Sequence, residues 1–217
     1  MTRWSILIAS LARRSATLEQ VLADLAPQLT DEVEVVVYRN HGELPLGHIR
    51  QALVEDARGT YVSFVDDDDR IPDYHVHTVL PLLDGVDYVG WRMQAYISGE
   101  KLKPTYHTLD VDSWWESPDA YWRDISHLNP VRRHLALQCD FRATAPPEDV
   151  SWADQMRGLV LTQNMCRTDV SMYEYTASSD STWRPGHEPA WDGSDRLPPG
   201  APNPFNHFQM RWHPSST

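Results

Sequence analysis

The stretch Gly47–Asp69, GHIRQALVEDARGTYVSFVDDDD, decides the fold. Ile49, Ala52, Leu53 and Ala57 recur at helical spacing, which predicts a helix over 47–58 that stops at Gly59. Residues 61–65, Tyr-Val-Ser-Phe-Val, are short, apolar and rich in β-branched and aromatic side chains, as a buried strand is. That strand runs into four consecutive aspartates, Asp66 to Asp69. Carboxylates this close destabilise one another unless positive charge lies among them. Hard oxygen ligands of this kind suit Mg²⁺, Mn²⁺ or Ca²⁺. In open α/β sheets, ligands bind at the carboxyl ends of strands. A solvated acidic turn leading into Pro72 is the plain alternative.

Outward from this stretch, strands and helices alternate. Residues 4–9 and 33–38 predict buried strands, and 15–29 an amphipathic helix ending near Pro27. Arg39 to Gly42 reads as a loop. A further helix is expected over 73–83, a strand over 86–97, a helix over 148–158 and a strand over 170–176. Residues 100–125 are polar and aromatic and predict an irregular loop with short helical pieces. Residues 126–142 predict a turn and one short element. The alternation implies βαβ units and a mostly parallel central sheet flanked by helices. The last 35 residues, 183–217, hold seven of the 16 prolines and predict an irregular Pro/Trp-rich tail.

Composition narrows the classes. With 217 residues and 41% hydrophobic content, the chain is long enough for one domain with a real core. A net charge of −12 argues against a broad nucleic-acid footprint, although Arg132, Arg133 and His134 form a short basic cluster. No stretch approaches a membrane span, and the first residues run straight into a strand. Cys139 and Cys166 lack metal-ligand spacing. A reduced, cytoplasmic protein without membrane insertion is the expectation.

Two motifs carry a resemblance. Ala57-Arg58-Gly59-Thr60-Tyr61 followed by Phe64-Val65-Asp66-Asp67-Asp68-Asp69 is one; the other is PPEDVSWADQMRG, residues 146–158. In this order and spacing they resemble family-two-type glycosyltransferases with the GT-A fold, a Rossmann-like α/β architecture. The resemblance covers residues 1–182, with 1–98 as the nucleotide-sugar half, 99–182 as the acceptor half and 183–217 as a tail or lid. It implies transfer of a sugar, with inversion, from a nucleoside diphosphate sugar to a hydroxyl, assisted by Mn²⁺ or Mg²⁺. Asp66 is then expected at the ribose and the metal, Asp68 on the metal, Asp67 in the variable slot and Asp69 either as a supporting group behind them or on the acceptor side. Asp149 is the expected general base, oriented by Glu148. The plain reading of that pair is a helix N-terminus that favours carboxylates.

The chain also departs from the family. The second strand ends without the usual acid, so Arg39 and Asn40, with Ala9 at the exit of the first strand, are the donor-side expectations. Arg13 or Arg14 is available to a phosphate. No late histidine occupies the usual position; His187 or Asp180 stands in as a metal ligand. Trp152 and Trp91 are the acceptor-side expectations among nine tryptophans, weighed against ordinary core packing. The acceptor itself is open: glycan, small molecule, lipid-linked glycan, protein or modified DNA base. Two other readings stand beside this one. A nucleotidyltransferase on a similar sheet would need a glycine-rich loop after the first strand, which residues 9–16 lack. A non-catalytic module would hold a sugar nucleotide or glycan without turnover.

Overall fold

The computed structural model describes residues 1–42, 44–142, 148–177 and 209–212. Its centre is three parallel strands in the order β2-β1-β3: β1 (Trp4–Leu11), β2 (Val33–Asn40) and β3 (Tyr61–Phe64). Helix α1 (Ser15–Leu25) joins β1 to β2, and α2 (Leu46–Asp56) joins β2 to β3. Side chains alternate along each strand, so the two faces of the sheet bury different sets. Trp4, Ile6 and Ile8 of β1 pack with Leu18, Val21 and Leu25 of α1, whereas Leu7 packs with Ile49 and Leu53 of α2. Burial on both faces is why β1 and β2 read as near-continuous apolar runs.

Beyond β3, the short β9 (Val131–Arg132) pairs antiparallel with both β3 and the long β4 (Tyr88–Ile97), so β3 and β4 run the same way. Strands β10 (Gln163–Met165) and β11 (Tyr173–Ala177) both pair parallel with β4. The two expected halves of the chain therefore share one sheet. Helix α3 (His75–Val79) follows the aspartates, α4 (Arg133–Ala136) follows β9, and α5 (Glu148–Met156) packs near α2. Among the described residues no helix is long and apolar enough to cross a membrane.

Several local expectations are corrected. The helix predicted over 15–29 stops at Leu25, and a 3₁₀ turn over Ala26–Gln28 takes in Pro27, whose ring suits a first turn but not an interior. The helix predicted over 73–83 is likewise cut to His75–Val79, and Pro81 sits in the 3₁₀ turn Leu80–Leu83. Gly59 does not end α2 through a left-handed backbone. It is required because β1 lies against it: a Cβ there would sit 2.6 Å from Ser5 N.

Residues 100–125 form strands in place of helical pieces: β5 (Glu100–Lys101), β6 (Thr105–His107), β7 (Trp115–Glu116) and β8 (Tyr121–Arg123). Ser98 and Gly99, both at positive φ, turn β4 back into β5 as a two-residue hairpin. Aromatic cross-strand pairs stabilise the edge: Trp115 stacks on Trp122 at 5.5 Å and 7°, and Trp122 on Tyr106 at 4.8 Å.

The tail, expected to be irregular, contributes β12 (Gln209–Trp212), antiparallel to β2 at the sheet edge. Arg211 fixes it with Nη1 at 2.5 Å from Glu34 Oε2 and Nη2 at 2.8 Å from Asp56 Oδ2. The boundary expected at residue 182 lies outside the described residues.

Two buried histidines tie the fold to pH. His75 lies between Trp4 and Trp91 with Nδ1 2.7 Å from the Met172 carbonyl, and His107 Nδ1 is 2.7 Å from Asn129 Oδ1. Burial is the main cause that lowers each imidazole to about 4. Between about 6.5 and 4 the unfolded chain binds the proton and the native state does not, so their contribution is full above 6.5 and is lost as pH falls. Wild-type stability is expected to fall relative to a His75→Phe variant by up to about 3 kcal/mol across that window. Urea denaturation at a series of pH values reads the difference in slope, and parallel curves would contradict it.

Candidate active site

The four aspartates leave β3 as a tight turn, with Asp69 N donating to Asp66 O at 3.3 Å. The turn divides their work. Asp67, 2% exposed, is tied to β1: its Oδ2 accepts the Leu11 N–H at 3.2 Å and its Oδ1 accepts Arg14 Nη1 at 2.8 Å. Asp69, 1% exposed, is tied to β11: it accepts the Thr176 N–H at 2.8 Å and the Tyr173 hydroxyl at 2.7 Å. The Tyr173 oxygen in turn accepts the Asp66 N–H. Alternate members thus anchor the loop, which leaves the half-buried carboxylates of Asp66 and Asp68 facing open space.

Two arginines compensate this charge. Arg14, at the exit of β1, puts Nη1 within 2.9 Å of Asp68 Oδ2 while holding Asp67. Arg50, buried on α2, places Nη2 3.2 Å from Asp66 Oδ1 and Nη1 2.5 Å from Glu148 Oε1. It therefore links the aspartate turn to the start of α5. Burial still holds Asp66 and Asp68 above the usual carboxylate range, against the pull of Arg50 and Arg14 respectively. Asp69 is pushed well above it by burial and by Asp66, and Glu148 is raised chiefly by burial against Arg50. The cluster has room for more positive charge.

Next to Glu148, the Asp149 carboxylate lies 3.8 Å from His127 Nδ1 and accepts the Val150 N–H. Burial, then Arg50 and His107, depress the His127 imidazole well below its ordinary value, so it is neutral at pH 7. The contact is between a carboxylate and a neutral ring.

Two cavities meet here. One, about 640 Å³, lies between β1, the β2–α2 loop and the aspartate turn, and is lined by Ala9, Arg14, Arg50, Asp66 and Asp68 among others. The second, about 240 Å³, lies under β6, β8 and α5 and is lined by Asp149, His127, Trp114 and apolar side chains. Asp66 and Tyr175 line both.

The structure brings Ala9, Asn40, Asp66, Asp67 and Asp68 to the first cavity and Asp149 to the second, and links Glu148 to Asp66 through Arg50. Several local expectations change. Asn40 ends β2 rather than lying in a loop; it lines the first cavity, with its amide engaged internally: Nδ2 donates to Leu44 O, and Oδ1 accepts from Gly42 and Leu44 N–H. Arg39, on β2 beside it, is absent from the cavity lining; strand alternation puts it on the opposite face from Asn40. Trp91 is fully buried against His75, and Trp152, 1% exposed, stacks on Phe141 at 5.0 Å. Both fill core, so neither offers a face to an acceptor. Of its two expected roles Asp69 has the supporting one: Tyr173 and Thr176 engage its carboxylate, and it lines neither cavity. His187 and Asp180 lie outside the described residues.

Sequence reasoning did not single out Arg50, His127 or Tyr173. For Arg50 the signal was present, since it lies three residues before Leu53 on the face of α2 that is buried, where a cation needs acidic partners. His127 and Tyr173 carried no local signal.

Asp66 and Asp68 are the residues of the first cavity that could offer oxygen donors to a divalent cation. They supply hard oxygen donors, and no group of three His, Cys, Asp or Glu side chains converges among the described residues. Mg²⁺ and Mn²⁺ are commonly held by one or two carboxylates, with phosphate oxygens and water completing the shell.

The sequence matches no protein-family model and no curated protein. Solved structures share the fold. Residues 1–349 of S. aureus TarS, a GT-A-type glycosyltransferase, align with a TM-score of 0.60 at 16% identity over 81% of this chain and 60% of that one. The same protein in complex with UDP-GlcNAc aligns with a TM-score of 0.61 at 16% identity, covering 81% and 58%. Its complex with UDP gives 0.58 at 16% identity, covering 81% and 60%. The chain spans about three fifths of the length of these neighbours.

Removing the central cation has a defined cost. In an Arg50→Met variant Asp66 and Glu148 keep their burial and lose their counter-charge, and the fold is expected to lose about 3 kcal/mol. Adding Asp66→Asn should recover part of that loss, because one of the stranded charges is gone. Equilibrium unfolding of the single and double variants measures both.

Proposed function

We propose that the protein is a nucleotide-sugar glycosyltransferase that transfers its sugar with inversion and with the help of a divalent cation. The observation that carries this reading is the meeting of two unlike cavities at Asp66, one lined by charged groups and large enough for a nucleotide, the other holding Asp149. The fold shared with TarS, solved with UDP and UDP-GlcNAc, supports a nucleotide-sugar donor.

In this reading the donor diphosphate lies in the larger cavity, where Arg14 donates to its oxygens and Arg50 keeps Asp66 ionised and oriented. Asp66 and Asp68 would hold Mn²⁺ or Mg²⁺, which would supply positive charge to offset that on a departing diphosphate. The acceptor hydroxyl enters from the smaller cavity. Asp149 accepts its proton, and the neutral His127 ring borders that carboxylate without neutralising it. Inversion requires the hydroxyl to reach C1 from the side away from the diphosphate, and separate cavities for donor and acceptor that share Asp66 and Tyr175 are compatible with it. Glu148, held by Arg50, fixes the first turn of α5 and so the position of Asp149.

Release of UDP from UDP-GlcNAc in the presence of Mn²⁺ provides the assay. Asp149→Asn is expected to lower transfer by at least 10²-fold with UDP affinity within a few-fold, since a base acts on the acceptor and not on the donor. A large loss of UDP binding in that variant would assign Asp149 to the donor side. EDTA is expected to abolish turnover, Mn²⁺ or Mg²⁺ to restore it, and Asp68→Ala to prevent the restoration. Full turnover in EDTA would remove the metal from the mechanism.

A further inference from the structure

The smaller cavity has a chemical character that restricts what can enter it. Its walls are largely hydrocarbon: Met93 from β4, Leu102 beyond β5, Ile125 and Leu128 after β8, and Val150 and Ala153 from α5. At its mouth Trp114, 55% exposed, and Tyr121 add flat aromatic faces, with the Arg123 guanidinium 4.5 Å from the Trp114 ring and 5.4 Å from the Tyr121 ring. Arg123 Nη1 already donates to the Trp122 carbonyl at 2.9 Å.

Several polar groups of the lining are already engaged. His107 Nδ1 is engaged by Asn129, Asp66 by Arg50, and the Trp114 indole N–H by Asp124 at 3.0 Å. His127 is a neutral ring at pH 7. Asp149, about one-third exposed, is the carboxylate left to receive a proton from the cavity side.

Size and polarity then select a class. A dry cavity of about 150 Å³ accommodates benzene, so about 240 Å³ accommodates a substituted single ring or an aliphatic group of similar bulk. A free sugar ring carries several hydroxyls, and each one stripped of water without a partner costs about 1–3 kcal/mol. A molecule with one hydroxyl on an apolar body loses water from its body favourably and needs a single acceptor.

We propose that the acceptor is a compact apolar alcohol, an aryl or similarly sized hydrocarbon group bearing one hydroxyl, seated in this cavity with that hydroxyl on Asp149. The assignment rests on the glycosyltransferase reading above. In the transfer, the alcohol oxygen forms a bond to C1 of the sugar as the bond from C1 to the diphosphate oxygen breaks. The hydroxyl proton passes to the Asp149 carboxylate, and the nucleoside diphosphate leaves with the bonding electron pair.

Binding, measured apart from turnover, tests this. The full chain is titrated by protein-observed NMR with benzyl alcohol, with methyl glucoside and, separately, with UDP. Benzyl alcohol is expected to bind saturably and at least tenfold more tightly than methyl glucoside. Leu102→Trp, which fills the cavity from its wall, is expected to weaken benzyl alcohol at least tenfold. A wild-type protein that binds methyl glucoside as well as or better than benzyl alcohol overturns the acceptor class. So does saturable binding of benzyl alcohol that Leu102→Trp, still folded by its spectrum, leaves unchanged. Should Leu102→Trp fail to fold, the comparison of the two ligands on wild type decides alone. Failure of UDP and UDP-GlcNAc to bind would instead sink the glycosyltransferase reading, which the benzyl alcohol result does not touch.

Discussion

Four carboxylates at the end of one buried strand set the terms for the structure around them. They repel each other, and the sheet holds them where water cannot fully screen the repulsion. The fold answers by giving each a different partner. Asp67 is tied to the end of β1, Asp69 to β11, and Asp66 and Asp68 are faced by Arg50 and Arg14. The turn is therefore a junction at which strands distant in sequence are fastened together. Tyr173 completes it by donating to Asp69 while accepting from the main chain of Asp66.

This arrangement separates anchored from exposed carboxylates within a single run of identical residues. Asp67 and Asp69 are buried and saturated with hydrogen bonds, whereas Asp66 and Asp68 retain about a third of their surface. Arg50 extends the network to Glu148 on α5, some hundred residues away in the chain. Through it, the position of Asp149 depends on the same charge balance that orders the aspartate turn. A carboxylate beside the neutral ring of His127 and a carboxylate beside Arg50 belong to one electrostatic unit with two cavities on its sides.

The sheet supplies the rigidity this unit needs. β1 and β2 are covered on both faces, so their ends cannot shift without opening a core. The approach of Gly59 to Ser5 brings β3 against β1 closely enough that no side chain fits between them. At the opposite edge, β12 protects β2 with its Arg211 bridging Glu34 and Asp56, so a segment that composition marks as irregular contributes order where an edge strand would otherwise be bare.

Local pattern by itself determined the alternation of strands and helices, the placement of β1, β2, β3 and α2, and the identity of the charged turn, because each of these follows from periodicity over a few neighbouring residues. Asp149 was singled out by the resemblance to a known family and not by periodicity. Local pattern did not determine which aspartates would be exposed, since that depends on β1 and β11 reaching the turn from either side. It could not decide between core packing and an acceptor role for Trp91 and Trp152, because an aromatic side chain reads the same in sequence whether it fills a core or lines a site. It could not show that Asn40 spends its amide on its own loop, nor that residues 100–125 pair as strands through stacked aromatics. Tertiary structure decided these points for one physical reason: charge compensation and burial are set by contacts between residues far apart in the chain, and local spacing carries no record of them.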